Sequence, residues 1–107
     1  MVFHDLENRE WKELFAGVRV RTFWGKEMLV MHVEIDEGAD VPMHSHPHEQ
    51  GGTVLSGEVR FTIGGESRTV GAGDSYIIPS GVEHKALGLQ NSKLFEIFSP
   101  VREEYKF

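Results

Sequence analysis

Alternation of apolar and polar residues dominates the chain from Val18 onward. The segments VRVRTFW (18–24) and VRFTI (59–63) alternate, and MLVMHVEI (28–35) is a longer, mostly apolar run. Alternation with a period of two is typical of a β-strand that buries one face. A short apolar segment at 76–78 predicts a further strand. The pattern therefore predicts a domain built almost entirely from strands.

Turn-forming residues separate these segments, and 12 of the residues are glycine. FTIGGESRTV (61–70) is the clearest hairpin, because Gly64 and Gly65 suit the positive φ angles of two-residue turns. Only NREWKELFAG (8–17) spaces its apolar residues as a short helix would, with Gly17 at its end. Short, closely spaced strands predict an all-β antiparallel barrel or sandwich that follows a short helical or irregular N-terminal segment.

Composition narrows the class of protein. A chain of 107 residues fits one small domain, which often gains stability by pairing, so we expect a homodimer. The net charge of −6 argues against nucleic acid as a partner. The sequence has no long apolar run and a polar N-terminus, so we expect no membrane segment and a cytoplasmic location. The absence of cysteine excludes thiolate metal sites and cysteine nucleophiles.

The heptapeptide HSHPHEQ (44–50) contains three of the six histidines. On a strand, His44 and His46 would project from one face about 7 Å apart and converge on a metal with ligands from neighbouring strands. Pro47 is expected to break the strand, so that His48 lies at the rim of the site. The alternative is that these histidines are exposed polar loop residues. A second segment, GDSYIIPSGVEH (73–84), places His84 after a strand and a turn, where its side chain can point back over the sheet.

The two segments resemble the paired motifs of the cupin superfamily. The first motif spans 38–57 and is carried by Gly38, His44, His46, Gln50 and Gly57, with Gln50 where the motif has glutamate. The second spans 73–88 and is carried by Gly73, Pro79, Gly81 and His84, with Gly88 where the motif has asparagine. The resemblance implies a single cupin domain over 1–107, folded as a double-stranded β-helix (jelly-roll barrel).

The cupin resemblance also implies one divalent metal ion, bound by His44, His46, Gln50 and His84. Imidazole and oxygen ligands suit Zn, Ni, Fe, Mn and Cu alike. A neutral glutamine would leave the ion its full charge of about +2 and make it a stronger Lewis acid than a glutamate ligand would. The alternative is that Gln50 only forms hydrogen bonds, in a site that is empty or has three protein ligands.

A narrower resemblance lies in HPHEQ, VLSGEVRFTIGGE, IPSGVEH and FEIFSPVREEY, which are similar to small single-domain cupins related to the pectin-degradation protein family. Members of that family are associated with converting 4,5-unsaturated uronates into their linear keto form. The resemblance implies that Glu96 and Arg102 are catalytic and that Phe98 and Arg102 contact the substrate. The family pattern favours aspartate where Glu96 stands. The alternative is that Glu96 and Arg102 form a surface ion pair.

Three classes of function follow from the sequence. The first is a metal-dependent, isomerase-like enzyme that acts on uronates. The second is another cupin chemistry, such as metal-dependent dioxygenation of a small molecule. The third is a non-catalytic module that binds a sugar, a sugar acid or another small ligand. A fold alone does not decide among them, because function depends on the residues of the pocket.

Overall fold

The computed structural model describes residues 2–107, which form ten strands and one short 3-10 turn at Glu103–Tyr105. The strands are β1 Lys12–Phe15, β2 Val18–Trp24, β3 Leu29–Ile35, β4 Asp40–His44, β5 Glu49–Ser56, β6 Glu58–Ile63, β7 Glu66–Gly71, β8 Ser75–Ile78, β9 His84–Gly88 and β10 Ser92–Ser99. Within residues 2–107, no helix has the length and apolar character needed to cross a membrane.

The strands form two antiparallel sheets. One has six strands in the order β1-β2-β3-β10-β5-β8, and the other has four in the order β4-β9-β6-β7. Strands that are distant in sequence are therefore neighbours, as in the pairing of β3 with β10 and of β4 with β9. The predicted all-β, cupin-type architecture is confirmed.

The core lies between the two sheets and follows the alternation seen in the sequence. In β10, Leu94, Glu96 and Phe98 are buried, while the residues between them are less so. Val59 and Phe61 of β6 belong to the same apolar cluster as Leu94 and Phe98. Each fully buried aliphatic or aromatic side chain of this kind contributes about 1.5–3 kcal/mol. Glu96 is the exception on this face, since a carboxylate stands where an apolar side chain would otherwise pack.

Two local predictions have opposite outcomes. The hairpin is confirmed: β6 and β7 pair up to Ile63 and Glu66, and Gly64 takes a φ of 60° in the turn. The helical interpretation of 8–17 is wrong, because Lys12–Phe15 forms an edge strand paired with β2. Gly17, with a φ of 78°, makes the turn between these two strands rather than ending a helix. Backbone pairing with β2 thus determines the conformation of this segment, which is too short to be a stable helix by itself.

Close contacts around Gly88 explain why this position of the second motif is glycine rather than asparagine. A Cβ atom on Gly88 would lie 2.5 Å from the carbonyl oxygen of Asp36 and 2.8 Å from Cγ2 of Ile35. The Gly88 amide also donates to Ala39 and its carbonyl accepts from Gly38, so the backbone is held in place. The contact is therefore with atoms that have little freedom to move.

We expect Gly88→Ala to destabilise the protein by about 1–3 kcal/mol, because the added methyl group overpacks a fixed backbone. Gly25→Ala is the matched control, since a Cβ there would meet nothing within 4 Å. Urea unfolding of both variants and the parent protein measures the difference. Equal midpoints for the two variants would contradict this account of Gly88.

Candidate metal centre

Three histidines converge at one end of the space between the sheets. His44 ends β4 and His84 begins β9, and the two are paired across these strands with ring centroids 4.2 Å apart. The His46 ring lies 5.7 Å from that of His44 and 4.9 Å from that of His84. One ring nitrogen from each histidine lies within 4.8 Å of the others, so the group can hold a metal ion.

The route by which His46 reaches this group differs from the prediction. β4 ends at His44, and His46 lies in the connection to β5 rather than on the same strand. This connection is tied to the turn before His84, because the Gly81 amide donates to the His46 carbonyl at 2.9 Å. The hydroxyl of Ser80 donates to the carbonyl of Pro47 in the same region. The two motif segments therefore contact each other directly and hold His46 near His84.

Each of the three rings is oriented by a backbone carbonyl. Nδ1 lies 2.8 Å from the Pro42 oxygen in His44, 2.9 Å from the His48 oxygen in His46 and 2.9 Å from the Val82 oxygen in His84. A carbonyl only accepts, so Nδ1 carries the proton and Nε2 presents its lone pair, the arrangement usual for metal-binding histidines.

Burial keeps two of these rings neutral. It lowers the pKa of His46 and lowers that of His84 to about 4, because desolvation disfavours the imidazolium form. Nε2 of His84 is buried and has no hydrogen-bond partner among residues 2–107. A buried lone pair without a donor is costly in an apoprotein and suits a site for a cation. The donor set therefore fits a divalent metal.

Gln50 brings an amide oxygen next to the three imidazole nitrogens of this group. It is buried on β5, with Oε1 2.9 Å from Nε2 of His46, and its Nε2 donates to Oε2 of Glu96 at 2.7 Å. The bond to a carboxylate orients the amide, so Oε1 faces the imidazole lone pair and both atoms are acceptors. Two acceptor atoms at this distance repel each other unless a cation lies between them. The short contact between two acceptors thus fits a shared cation.

Glu96 is buried, with 5% of its surface exposed, and receives two hydrogen bonds on one oxygen. Gln50 Nε2 and the Tyr76 hydroxyl both donate to Oε2 at 2.7 Å. Burial raises the pKa of Glu96, and it raises the pKa of Tyr76 well above its ordinary value. No donor among residues 2–107 is bonded to Oε1 of Glu96. One oxygen of the carboxylate is therefore fixed and the other remains available.

Arg102 lines the cavity that Gln50 and Glu96 also line, and it lies beside the rings of two aromatic residues. Its guanidinium carbon is 4.0 Å from the Tyr105 ring centroid and 5.3 Å from that of Phe98. Its Nε bonds to Glu104 at 2.8 Å, and its side chain is only 13% exposed. Because Glu96 is buried and Arg102 pairs with Glu104, the alternative of a surface ion pair between Glu96 and Arg102 is wrong.

One cavity brings most of the sequence-predicted residues together. Among the side chains that line it are His44, Gln50, His84, Glu96, Phe98 and Arg102. His46 adjoins these residues through its contact with Oε1 of Gln50. His48 lies outside the three-histidine group; it is half-buried, with its ring 5.7 Å from that of His46. The apolar pattern at 76–78 predicts a strand but gives no sign that the Tyr76 hydroxyl donates to Glu96.

Comparison with known proteins agrees with this architecture. The Cupin domain family profile matches residues 31–97. An RmlC-like cupin from Shewanella frigidimarina NCIMB 400 is 28% identical, with a TM-score of 0.92 over 98% of this chain and 96% of that chain. KdgF from Halomonas sp. is 26% identical, with a TM-score of 0.90 over 97% of both chains.

A more distant structure shares the fold alone. A variant of oxalate decarboxylase from Bacillus subtilis is 18% identical, with a TM-score of 0.81 over 91% of this chain and 29% of that chain. No curated protein matches the sequence. The family profile nevertheless covers more than half of the chain, and the two-sheet fold and the paired histidine segments agree with it. The protein therefore belongs to the cupin domain family.

Proposed function

We propose that the protein is a metal-dependent cupin enzyme that converts 4,5-unsaturated uronates into their linear keto form. The observation that carries the proposal is the Gln50 amide, held between His46 and the buried Glu96 in a cavity that Arg102 also lines. The similarity to KdgF over nearly the whole chain supports this choice among cupin chemistries.

The metal ligands in this proposal are Nε2 of His44, His46 and His84 together with Oε1 of Gln50. The orientation of the three rings and the unpartnered Nε2 of His84 support this set. A bound divalent ion would supply Lewis acidity that polarises an oxygen atom of the sugar. The remaining chemistry belongs to side chains of the protein itself.

Arg102 would bind the carboxylate of the uronate. Its Nε is bonded to Glu104, which leaves the two terminal nitrogens for a ligand in the cavity. A guanidinium pairs well with a carboxylate, and shielding from solvent strengthens the attraction. Phe98, which is 1% exposed and packs beside His46, would form the apolar floor under the sugar ring.

Glu96 would transfer the proton. Ring opening takes the proton from the anomeric hydroxyl and breaks the bond between the anomeric carbon and the ring oxygen. The anomeric carbon becomes an aldehyde, and the ring oxygen takes up the proton and becomes the hydroxyl of an enol. Ketonisation then adds a proton to C4, the carbon of the double bond that does not bear the enol oxygen, and removes the proton from that oxygen. The raised pKa of Glu96 suits a carboxyl group that both accepts and returns a proton. Its free Oε1 would contact the substrate, since Oε2 is already bonded.

We expect His46→Ala and His84→Ala each to lose the metal, because each removes a ligand nitrogen from a small set. His48→Ala is the control, since its ring lies outside the three-histidine group. Elemental analysis of the purified variants, with calorimetric Zn²⁺ titration, measures the effect. Stoichiometric metal in His46→Ala would contradict the ligand assignment.

The metal-loaded protein should accelerate the loss of the conjugated absorbance of 4,5-unsaturated galacturonate above the spontaneous rate. Treatment with a chelator should abolish the acceleration, and adding metal back should restore it. If metal is confirmed bound and the rate stays at the spontaneous value, the uronate proposal fails. Oxygen uptake with a small-molecule substrate would then favour the dioxygenase class.

Arg102→Met should raise the KM for the uronate roughly 10- to 100-fold, since a charge-assisted hydrogen bond contributes about 1.5–3 kcal/mol. Arg68→Met is the matched control, because Arg68 is exposed and pairs with Glu66 away from the cavity. Steady-state kinetics on both variants tests the assignment. An unchanged KM in Arg102→Met would remove Arg102 from the substrate site.

A further inference from the structure

We propose that Tyr76 is a positioning residue that acts through Glu96 to hold the Gln50 amide in the orientation of a metal ligand. The inference rests on the metal site of the proposed function and does not depend on the identity of the substrate. Tyr76 lies within the second motif but is not one of the residues that carry it.

Three consecutive contacts connect Tyr76 to the histidines. The Tyr76 hydroxyl donates to Oε2 of Glu96 at 2.7 Å, and Nε2 of Gln50 donates to the same oxygen at 2.7 Å. Oε1 of Gln50 lies 2.9 Å from Nε2 of His46. Glu96 thus accepts from two donors: the Gln50 amide, next to the histidines, and the Tyr76 hydroxyl on β8.

The sheet is built to allow this contact. Tyr76 on β8 pairs with Gly52 on β5, and Gly52 pairs in turn with Glu96 on β10. The phenol therefore crosses the middle strand to reach the carboxylate. A Cβ atom on Gly52 would lie 2.5 Å from the Tyr76 hydroxyl oxygen and 2.6 Å from Cζ. Gly52 does not take a positive φ, so glycine is required here for space.

Glu96 rather than aspartate suits the distances that the register imposes. Glu96 lies opposite Gly52, and Gln50 lies two residues further along β5 on the same face. Such diagonal neighbours are about 7–8 Å apart between backbones, which favours the longer side chain. The departure from the family's aspartate therefore matches a carboxylate that contacts both Gln50 and Tyr76.

The orientation matters because an amide presents either oxygen or nitrogen when it rotates by half a turn. Hydrogen bonds decide between the two, and a carboxylate accepts only. Glu96 therefore selects the orientation with Oε1 toward His46, provided that the carboxylate itself stays in place. Tyr76 supplies that restraint from the far side. Outer residues that orient metal ligands typically change metal affinity by about 10- to 100-fold.

The same contacts revise the charge expected from the sequence. Counting direct ligands alone, three histidines and a glutamine leave the ion its full charge. The Glu96 carboxylate accepts a hydrogen bond from that glutamine, so a negative charge lies one residue beyond the ligand. Hydrogen bonding to this anion also increases electron density on the amide oxygen. Gln50 therefore acts as a stronger ligand than an isolated amide.

The test measures Co²⁺ binding to the full-length protein by titration and by visible absorption, with no substrate present. Tyr76→Phe should weaken Co²⁺ binding at least about 10-fold and change the visible spectrum, because the amide ligand is no longer held. Tyr105→Phe is the matched control, since Tyr105 contacts Arg102 through its ring and makes no bond to Gln50 or Glu96. It should keep the parental Co²⁺ affinity and spectrum.

Gly52→Ala provides a second variant that displaces the phenol without removing its hydroxyl, and it should reproduce the effect of Tyr76→Phe. Parental affinity and spectrum in both variants would overturn the proposal. Weakened binding in Tyr105→Phe as well would also overturn it, because the effect would then be general. If the parent binds Co²⁺ but does not turn over the uronate, the substrate assignment fails while the Co²⁺ data still decide the role of Tyr76. If the parent binds no metal, both proposals fail.

Discussion

The antiparallel pairing of β5 with β10 is the interaction on which the candidate site depends. It places Gln50 opposite Phe98 and Gly52 opposite Glu96, and β8 continues the same register on the other side of β5. The amide, the carboxylate and the phenol therefore occupy adjacent positions on one inward-facing surface. A shift of one residue would turn these side chains to the outer face and replace them with their neighbours.

The second sheet provides the other half of the site. β4 and β9 pair so that His44 faces His84, and the connection after β4 carries His46. His44 and His84 thus come from one sheet and the Gln50–Glu96 pair from the other, and the two sets meet within the core. Polar groups buried in this way destabilise a small domain unless they are satisfied. The apolar cluster around Val20, Val59 and Leu94 offsets that cost.

Much of this arrangement could be predicted from the sequence, for identifiable reasons. Alternation located β2, β3 and β6, and motif spacing located the residues that converge, because strand periodicity and turn glycines are local properties. The helical interpretation of 8–17 failed because pairing with β2, a non-local interaction, determines that segment. The prediction that one strand continues through His46 was wrong for a related reason, since the turn at Gly81 holds the backbone of His46. The contact of Tyr76 with Glu96 was missed because it depends on the register of three strands, which no local pattern specifies.

The close approach of Tyr76 to Gly52 makes three positions interdependent. Alanine at 52 is incompatible with the observed placement of the Tyr76 ring, because the added Cβ would lie 2.6 Å from Cζ and 2.8 Å from Cε2 as well as 2.5 Å from the hydroxyl oxygen. Only a side chain smaller than an aromatic ring at 76 would therefore remove the reason for a glycine at 52. Aspartate at 96 would have to find its donors by a different geometry. Substitutions at these positions should therefore be epistatic, so that a change which is damaging alone becomes acceptable when the other two change with it. Among relatives, the three positions are expected to vary together as one inherited unit, even though they are separated by 24 and 20 residues in the chain.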